Sequence, residues 1–162
     1  MMRKLIVTGL GTGYLPVAPG TWGCLPVVGL FLLLHYATGG DWRFVGGPVA
    51  LLAALSAVAC VKLGRFTEQA FGKKDPGKCV IDEWAGQAIT FLHLPLGTSF
   101  TDGLVVAASA FVAFRVFDIV KPPPARQLEA LPHGWGVLLD DVFAGIYANL
   151  ACQLFLRLGL GF

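Results

Sequence analysis

Apolar and polar positions alternate along this chain on the scale of whole helices. Five apolar runs, residues 24–37, 44–61, 84–96, 103–120 and 142–156, are separated by short segments that gather most of the charge. Run 44–61 carries no charge and is long enough to cross a bilayer with a little help from its flanks; several of the others fall short of the roughly 20 residues of a full span. Glycine and proline mark the joints: Thr38-Gly39-Gly40-Asp41, then Gly72, Asp75, Pro76 and Gly77 within a polar middle at 62–78, then 95–102. Pro122-Pro123-Pro124 stops the fourth run, because consecutive prolines cannot continue the helix ladder. Residues 125–139 read as a loop, and Thr21 reads as the N-cap of the first run. The pattern predicts one domain, 1–162, that is all-α. It is a polytopic membrane helical bundle of about five apolar segments, some short or interfacial, behind a Gly/Pro-rich N-terminal loop at 5–23.

Composition sharpens this picture. The 162 residues are 56% hydrophobic and 14% charged, against roughly 25% charged in soluble domains. The rival is a densely buried soluble helical oligomer. A net charge of +2 with no basic cluster among exposed aromatics gives no footing for nucleic acid. Cys24, Cys60, Cys79 and Cys152 are scattered and read as free thiols, without the spacing of a disulfide framework or zinc site. Glycines at 9, 11 and 13 interrupt the first apolar patch too soon for a signal peptide.

Charge placement orients the chain. With a cytoplasmic amino terminus and five crossings, Arg3, Lys4, Lys62, Arg65, Lys73, Lys74, Lys78, Arg115, Lys121 and Arg126 share the cytoplasmic side. Only Arg43 and Arg157 face the other, as the positive-inside rule requires. The same assignment gathers Asp82, Glu83, Asp118, Asp140, Asp141 and the Gly/Pro segment on the cytoplasmic face.

Two of those acid sets share a pattern, Asp82-Glu83-Trp84-Ala85-Gly86 and Asp140-Asp141-Val142-Phe143-Ala144-Gly145, each opening an apolar run. Carboxylates in a first helical turn favour the positive end of the dipole. Two such pairs at one membrane face also suit a hard cation such as Mg²⁺, held by a few carboxylates with water and phosphate oxygens. Gly86 and Gly145 allow close helix approach. Arg115 and Asp118 share a helix face with Lys121 one turn on. They form either an ion pair at a helix end or a phosphate site in which Asp118 serves metal or water. Backbone amides of the Gly9–Gly23 segment, next to a helix start, are a further anion site. His35 and His93 read as packing or interfacial, and Glu68 and Glu129 as solvated loop charges. No cysteine-phosphatase spacing, Asp-x-Asp-Gly loop or G-x-S-x-G elbow is present.

Four motifs, in order, cover nearly the whole chain. They are Gly11-Thr12-Gly13-Tyr14-Leu15-Pro16-Val17-Ala18-Pro19-Gly20-Thr21-Trp22-Gly23, Val80-Ile81-Asp82-Glu83-Trp84-Ala85-Gly86, Phe114-Arg115-Val116-Phe117-Asp118-Ile119-Val120-Lys121-Pro122 and Gly136-Val137-Leu138-Leu139-Asp140-Asp141-Val142-Phe143-Ala144-Gly145. Together they resemble the phosphatidylglycerophosphatase A family. The resemblance implies a Mg²⁺-dependent lipid phosphatase of the bacterial inner membrane, its site facing the cytoplasm, converting phosphatidylglycerophosphate to phosphatidylglycerol and phosphate. On that reading Asp82, Glu83, Asp140 and Asp141 hold the metal. Thr12, Gly13, Gly20, Thr21, Arg115 and Lys121 hold the substrate phosphate, and Asp118 serves water or acts as nucleophile. The alternatives are a phosphatase of a soluble phosphomonoester and a non-enzymatic ion-binding membrane protein.

Overall fold

The computed structural model describes residues 1–73 and 76–161. Lys74 and Asp75, which fall in the turn expected after residue 72, lie outside them. The helices are α1 (Met2–Val7), α2 (Pro19–Thr38), α3 (Trp42–Phe71), α4 (Ile81–Thr90), α5 (Phe100–Val120), α6 (Ala125–Leu128) and α7 (Gly134–Leu154). A 3₁₀ turn, Thr12–Tyr14, precedes α2, and a wider π-helical turn, Phe155–Gly159, extends α7. No strand occurs among the described residues.

Four helical stretches are long and apolar enough to cross a membrane: Pro19–Thr38, Trp42–Phe71, Phe100–Val120 and Gly134–Gly159. Their outward faces are apolar as well, with Leu33, Leu51, Leu55, Val112 and Leu150 exposed. Such faces suit a hydrocarbon solvent and would be unfavourable in water. The chain is a membrane helical bundle.

The fifth apolar segment runs through the bundle in a different way. Its helix α4 has ten residues and rises about 15 Å, half of a roughly 30 Å hydrocarbon core. Residues 91–99 complete the passage without helix. At its far end the chain meets the end of α2, where Tyr36 donates to the Phe100 carbonyl at 2.9 Å and His35 lies 3.5 Å from the Ser99 carbonyl. The 84–96 run thus yields a helix that starts and stops earlier than its apolar pattern. Beyond Thr90 the backbone turns left-handed at His93, φ 56°, and Pro95 bars a return to helix, since its ring would clash with the Phe91 carbonyl four residues back.

Irregular backbone at this depth needs protein partners, and α7 supplies them. Asn149 Nδ2 donates to the Thr90 carbonyl at 2.9 Å and to the Leu92 carbonyl at 2.6 Å, and Gln153 Nε2 to the His93 carbonyl at 2.7 Å. Phe91 and Leu94 are buried, and Phe91 stacks on Phe31 with centroids 4.1 Å apart. Asn149→Leu therefore strands two carbonyls inside the bundle. It is expected to destabilise the fold by about 1–3 kcal/mol, seen as a lower midpoint on thermal unfolding in detergent. An unchanged midpoint would show that these bonds do not hold α4.

Helix α4 sits centrally, packed on α3 and α7 and touched by α2 and α5. Its approach to α7 depends on Gly86 and Gly145, where a Cβ on Gly145 would land on the Gly86 carbonyl oxygen and one on Gly86 would meet Phe114 and the Asp141 carbonyl. Several local expectations are corrected. Helix α2 begins at Pro19, so Thr21 lies inside it and caps nothing; proline is pre-shaped for a first helical position. Residues 125–139 are not one loop, because α6 and the first turns of α7 occupy most of them. Arg3 and Lys4 lie over Phe66 and Phe71 near the end of α3, the end at which α2 and α7 begin. Arg43, at the start of α3, and Arg157, within reach of His93, belong to the opposite end.

Candidate active site

The acidic motifs meet in a cleft of about 280 Å³ where α2 and α7 begin and α5 ends. Helix α4 contributes Asp82 and Glu83 from its first turn, α5 contributes Asp118 and Ile119, and α7 contributes Asp140 and Asp141. Lys121, Pro19 and Gly20 complete the rim. The first acidic pair does open its helix. The second does not: α7 starts at Gly134, six residues before Asp140, which removes helix-end stabilisation as the reason for Asp140 and Asp141.

Two cations are threaded through the acids. Arg115 Nη1 lies 2.7 Å from Asp118 Oδ2 and 3.9 Å from Glu83 Oε1, and the buried Cys24 thiol of α2 lies against the same guanidinium. Lys121 Nζ donates to Asp140 Oδ2 at 2.6 Å and to Glu129 Oε1 at 2.9 Å. Lys121 ends α5 with φ of 47°, a left-handed conformation that turns its side chain back to the cleft. Partial burial opposes its charge, but Asp140 and Glu129 outweigh that and hold the ammonium above the ordinary lysine range. Its stabilising contribution is therefore complete below about pH 10 and is lost only as pH rises through the raised value.

The expected site residues are gathered unevenly. Asp82, Glu83, Asp118, Asp140, Asp141, Gly20 and Lys121 line the cleft, and Arg115 stands behind it against Asp118 and Glu83; Thr12, Gly13 and Thr21 are not among the residues lining it. The amides of residues 9–15 all donate to carbonyls within their own turns, so that part of the glycine-rich segment has none to offer an anion. Thr12 Oγ1 donates to the Gly9 carbonyl at 2.9 Å. Gly20 stands apart from these: a Cβ there would run into Glu83 Oε1 and crowd Arg115, so the glycine keeps the cleft open beside the first turn of α2.

Glu129 and Glu68 correct the expectation of solvated loop charges. Glu129 joins Lys121, and Glu68, on α3, lies 2.8 Å from His133 Nδ1. The signal for Glu129 was its place eight residues after Lys121, beyond three prolines that fold the chain back.

A family model described as "PgpA: Phosphatidylglycerophosphatase A" matches residues 5–156. The chain belongs to the phosphatidylglycerophosphatase A family. It is 37% identical over 147 residues to a phosphatidylglycerophosphatase A of Haemophilus influenzae, covering 89% of this chain and 82% of that one. The Escherichia coli phosphatidylglycerophosphatase A is 32% identical over 143 residues, covering 88% and 76%. A putative phosphatidylinositol-3-phosphatase of Bacteroides thetaiotaomicron is 36% identical over 144 residues, covering 89% and 87%. No solved structure matches.

Whether this family member's residues suit a divalent cation can be tested on the cleft itself. Five carboxylates line it against Arg115 and Lys121, and Asp140 Oδ1 is buried with no hydrogen-bond partner among the described residues. Excess anionic oxygen in a half-buried site suits a hard cation with oxygen ligands. Among the described residues no three His, Cys, Asp or Glu already form a coordination shell; the carboxylates ring the cleft from three helices. Their chemistry fits Mg²⁺.

Lys121→Met should separate the two arms of this network. It leaves Asp140, whose side chain is 4% exposed, without its cation, and the expected loss is about 2–3 kcal/mol of stability. Glu129→Gln, at a side chain 42% exposed, should change stability by less than about 1 kcal/mol. Equal losses in chemical denaturation would overturn this ordering.

Proposed function

We propose that the protein hydrolyses the terminal phosphate monoester of phosphatidylglycerophosphate, giving phosphatidylglycerol and inorganic phosphate, with Mg²⁺ as cofactor. The observation that carries this reading is the cleft: five carboxylates and two cations gathered at one end of a membrane bundle. The names of the Haemophilus influenzae and Escherichia coli relatives support the same substrate. Asp82, Glu83, Asp140 and Asp141 would hold the metal, which when bound polarises the phosphoryl group and screens its charge. Arg115 and Lys121 bind the phosphate oxygens, and Gly20 gives them room. Asp118, held by Arg115, orients a water in line with the ester bond and takes its proton. The water oxygen bonds to phosphorus as the bond to the glycerol oxygen breaks, and that oxygen is protonated from solvent.

Basic side chains support a cytoplasmic cleft in a bacterial inner membrane. Arg3, Lys4, Arg115 and Lys121 lie at the cleft end, while Arg43 and Arg157 lie at the other. The deciding experiment is phosphate release from phosphatidylglycerophosphate by purified protein in detergent, with Mg²⁺ and then with a chelator. Release that stops with chelator and resumes with Mg²⁺ is expected. Release indifferent to chelator would remove the metal from the mechanism. No release from folded protein would turn attention to soluble phosphomonoesters and ion binding.

A further inference from the structure

A second concavity, about 430 Å³ and almost wholly apolar, lies between α5 and α7. Ala108, Ser109, Val112 and Ala113 form one wall, and Ala151 and Phe155 stand on the other. It is separate from the cleft, and a route joins the two. Val112 lines the groove and Ile119 lines the cleft, two helical turns apart on α5, with Val116 between them. The spacing i, i+4, i+7 places the three on one face. All three are exposed, at 58%, 49% and 73%. The direct seam between α5 and α7 is closed above the groove, where Phe117 meets Tyr147 at 5.8 Å between centroids and the Tyr147 hydroxyl donates to the Pro123 carbonyl at 2.7 Å. A continuous apolar track therefore leaves the cleft over the outward face of α5 and drops into the groove.

Depth identifies what such a track takes. Val112 and Ala108 lie six and ten residues from Asp118, about 9 and 15 Å along the helix axis. Ala151 lies ten residues beyond Asp141, again about 15 Å, and Phe155 closes the far end at about 21 Å. This is largely the half of a roughly 30 Å hydrocarbon core nearest the cleft, the depth occupied by the tails of a lipid whose headgroup is at the cleft. We infer that the α5–α7 groove is a subsite for an acyl chain of the phospholipid substrate, reached over Ile119 and Val116. The inference rests on the lipid-phosphatase reading above. The groove's small residues give the chain its width, and a second copy of the protein seated there would leave the track from the cleft without purpose.

The test compares a dihexadecanoyl with a dihexanoyl phosphatidylglycerophosphate in mixed micelles, using wild type, Ala108→Trp and Ser109→Trp. Wild type is expected to favour the long-chain lipid in kcat/KM by tenfold or more. Both tryptophans should bring that ratio towards one while leaving short-chain turnover within about twofold. Wild type that hydrolyses both lipids equally, or variants that keep the wild-type ratio, would overturn the groove and leave the phosphatase reading standing. Wild type that hydrolyses neither would overturn that reading and the groove with it. A changed oligomeric state at an unchanged ratio would make the groove an interface between copies and refute the proposal. Should the variants not fold, a photoactivatable diazirine on the acyl chain of the same lipid provides a second test on wild type. Phosphate-dependent labelling of peptides bearing Val112 or Ala151 is expected; labelling spread equally over the outward faces of α2 and α3 would refute it.

Discussion

Asp140→Asn is expected to lower kcat for phosphate release by about 10²–10³-fold with the fold retained. The substitution keeps the side chain's size and one oxygen, so the buried position, 4% exposed, stays filled. What changes is charge. Lys121 now has a full anionic partner only in the half-exposed Glu129, and the cleft loses one of its five carboxylates. Both of its proposed tasks then suffer, because the phosphate-binding ammonium is less firmly placed and the cation site less anionic. Asp118→Asn should give a similar loss by a different route, since the amide cannot take a proton from water. The two can be told apart by Mg²⁺ titration: Asp140→Asn should need more Mg²⁺ for half-maximal rate, Asp118→Asn about the same as wild type. Near-wild-type turnover in a folded Asp140→Asn protein would remove this residue from the active site.

Much of the site was legible because its residues are chemically out of place. Asp82, Glu83, Asp118, Asp140 and Asp141 stand at the ends of apolar runs, where unpaired carboxylates are costly, and the structure brings all five to one cleft. The expected anion loop at residues 9–23 was less legible. Glycine and proline say that backbone is bent, not where its amides point, and here the amides of residues 9–15 are consumed within their own turns. Glu129 was missed because its partner depends on the path of the chain after three prolines. Cys24 read as an apolar thiol, and only packing shows it against Arg115.

The fold shows the same division. Long apolar runs mark four spanning helices, and they are found. The fifth run, shorter and interrupted by Gln87, Thr90, His93 and Pro95, becomes half helix and half irregular strap. Hydropathy reports that a segment is out of water, not whether its carbonyls are satisfied by its own helix or by a neighbour's amide. Asn149 and Gln153, two polar residues in an otherwise apolar final run, were the visible sign that α7 would serve another segment. Their effect on the site is indirect: by binding the carbonyls at and beyond the end of α4 they tie that helix, and with it Asp82 and Glu83, to α7.

That dependence makes Gly145→Val the most damaging substitution expected outside the cleft. A Cβ at Gly145 falls on the Gly86 carbonyl oxygen, which is helix backbone and cannot swing aside as a side chain could. Relief requires α4 and α7 to move apart. Helix α4 carries Asp82 and Glu83 and α7 carries Asp140 and Asp141, so the separation is imposed on the carboxylates themselves. A displacement of about 1 Å between groups that must act together is enough for a loss of about 10²-fold in rate. Overpacking should also remove about 1–3 kcal/mol of stability. Gly29→Val is the matched control, since a Cβ there meets nothing within 4 Å on the outward side of α2. Thermal unfolding and turnover, measured on both variants, separate the cases. Gly145→Val should lose both while Gly29→Val keeps both. Full turnover in Gly145→Val would mean that the acids of α4 and α7 need not sit this close, and the shared cleft would then be no more than neighbouring charge.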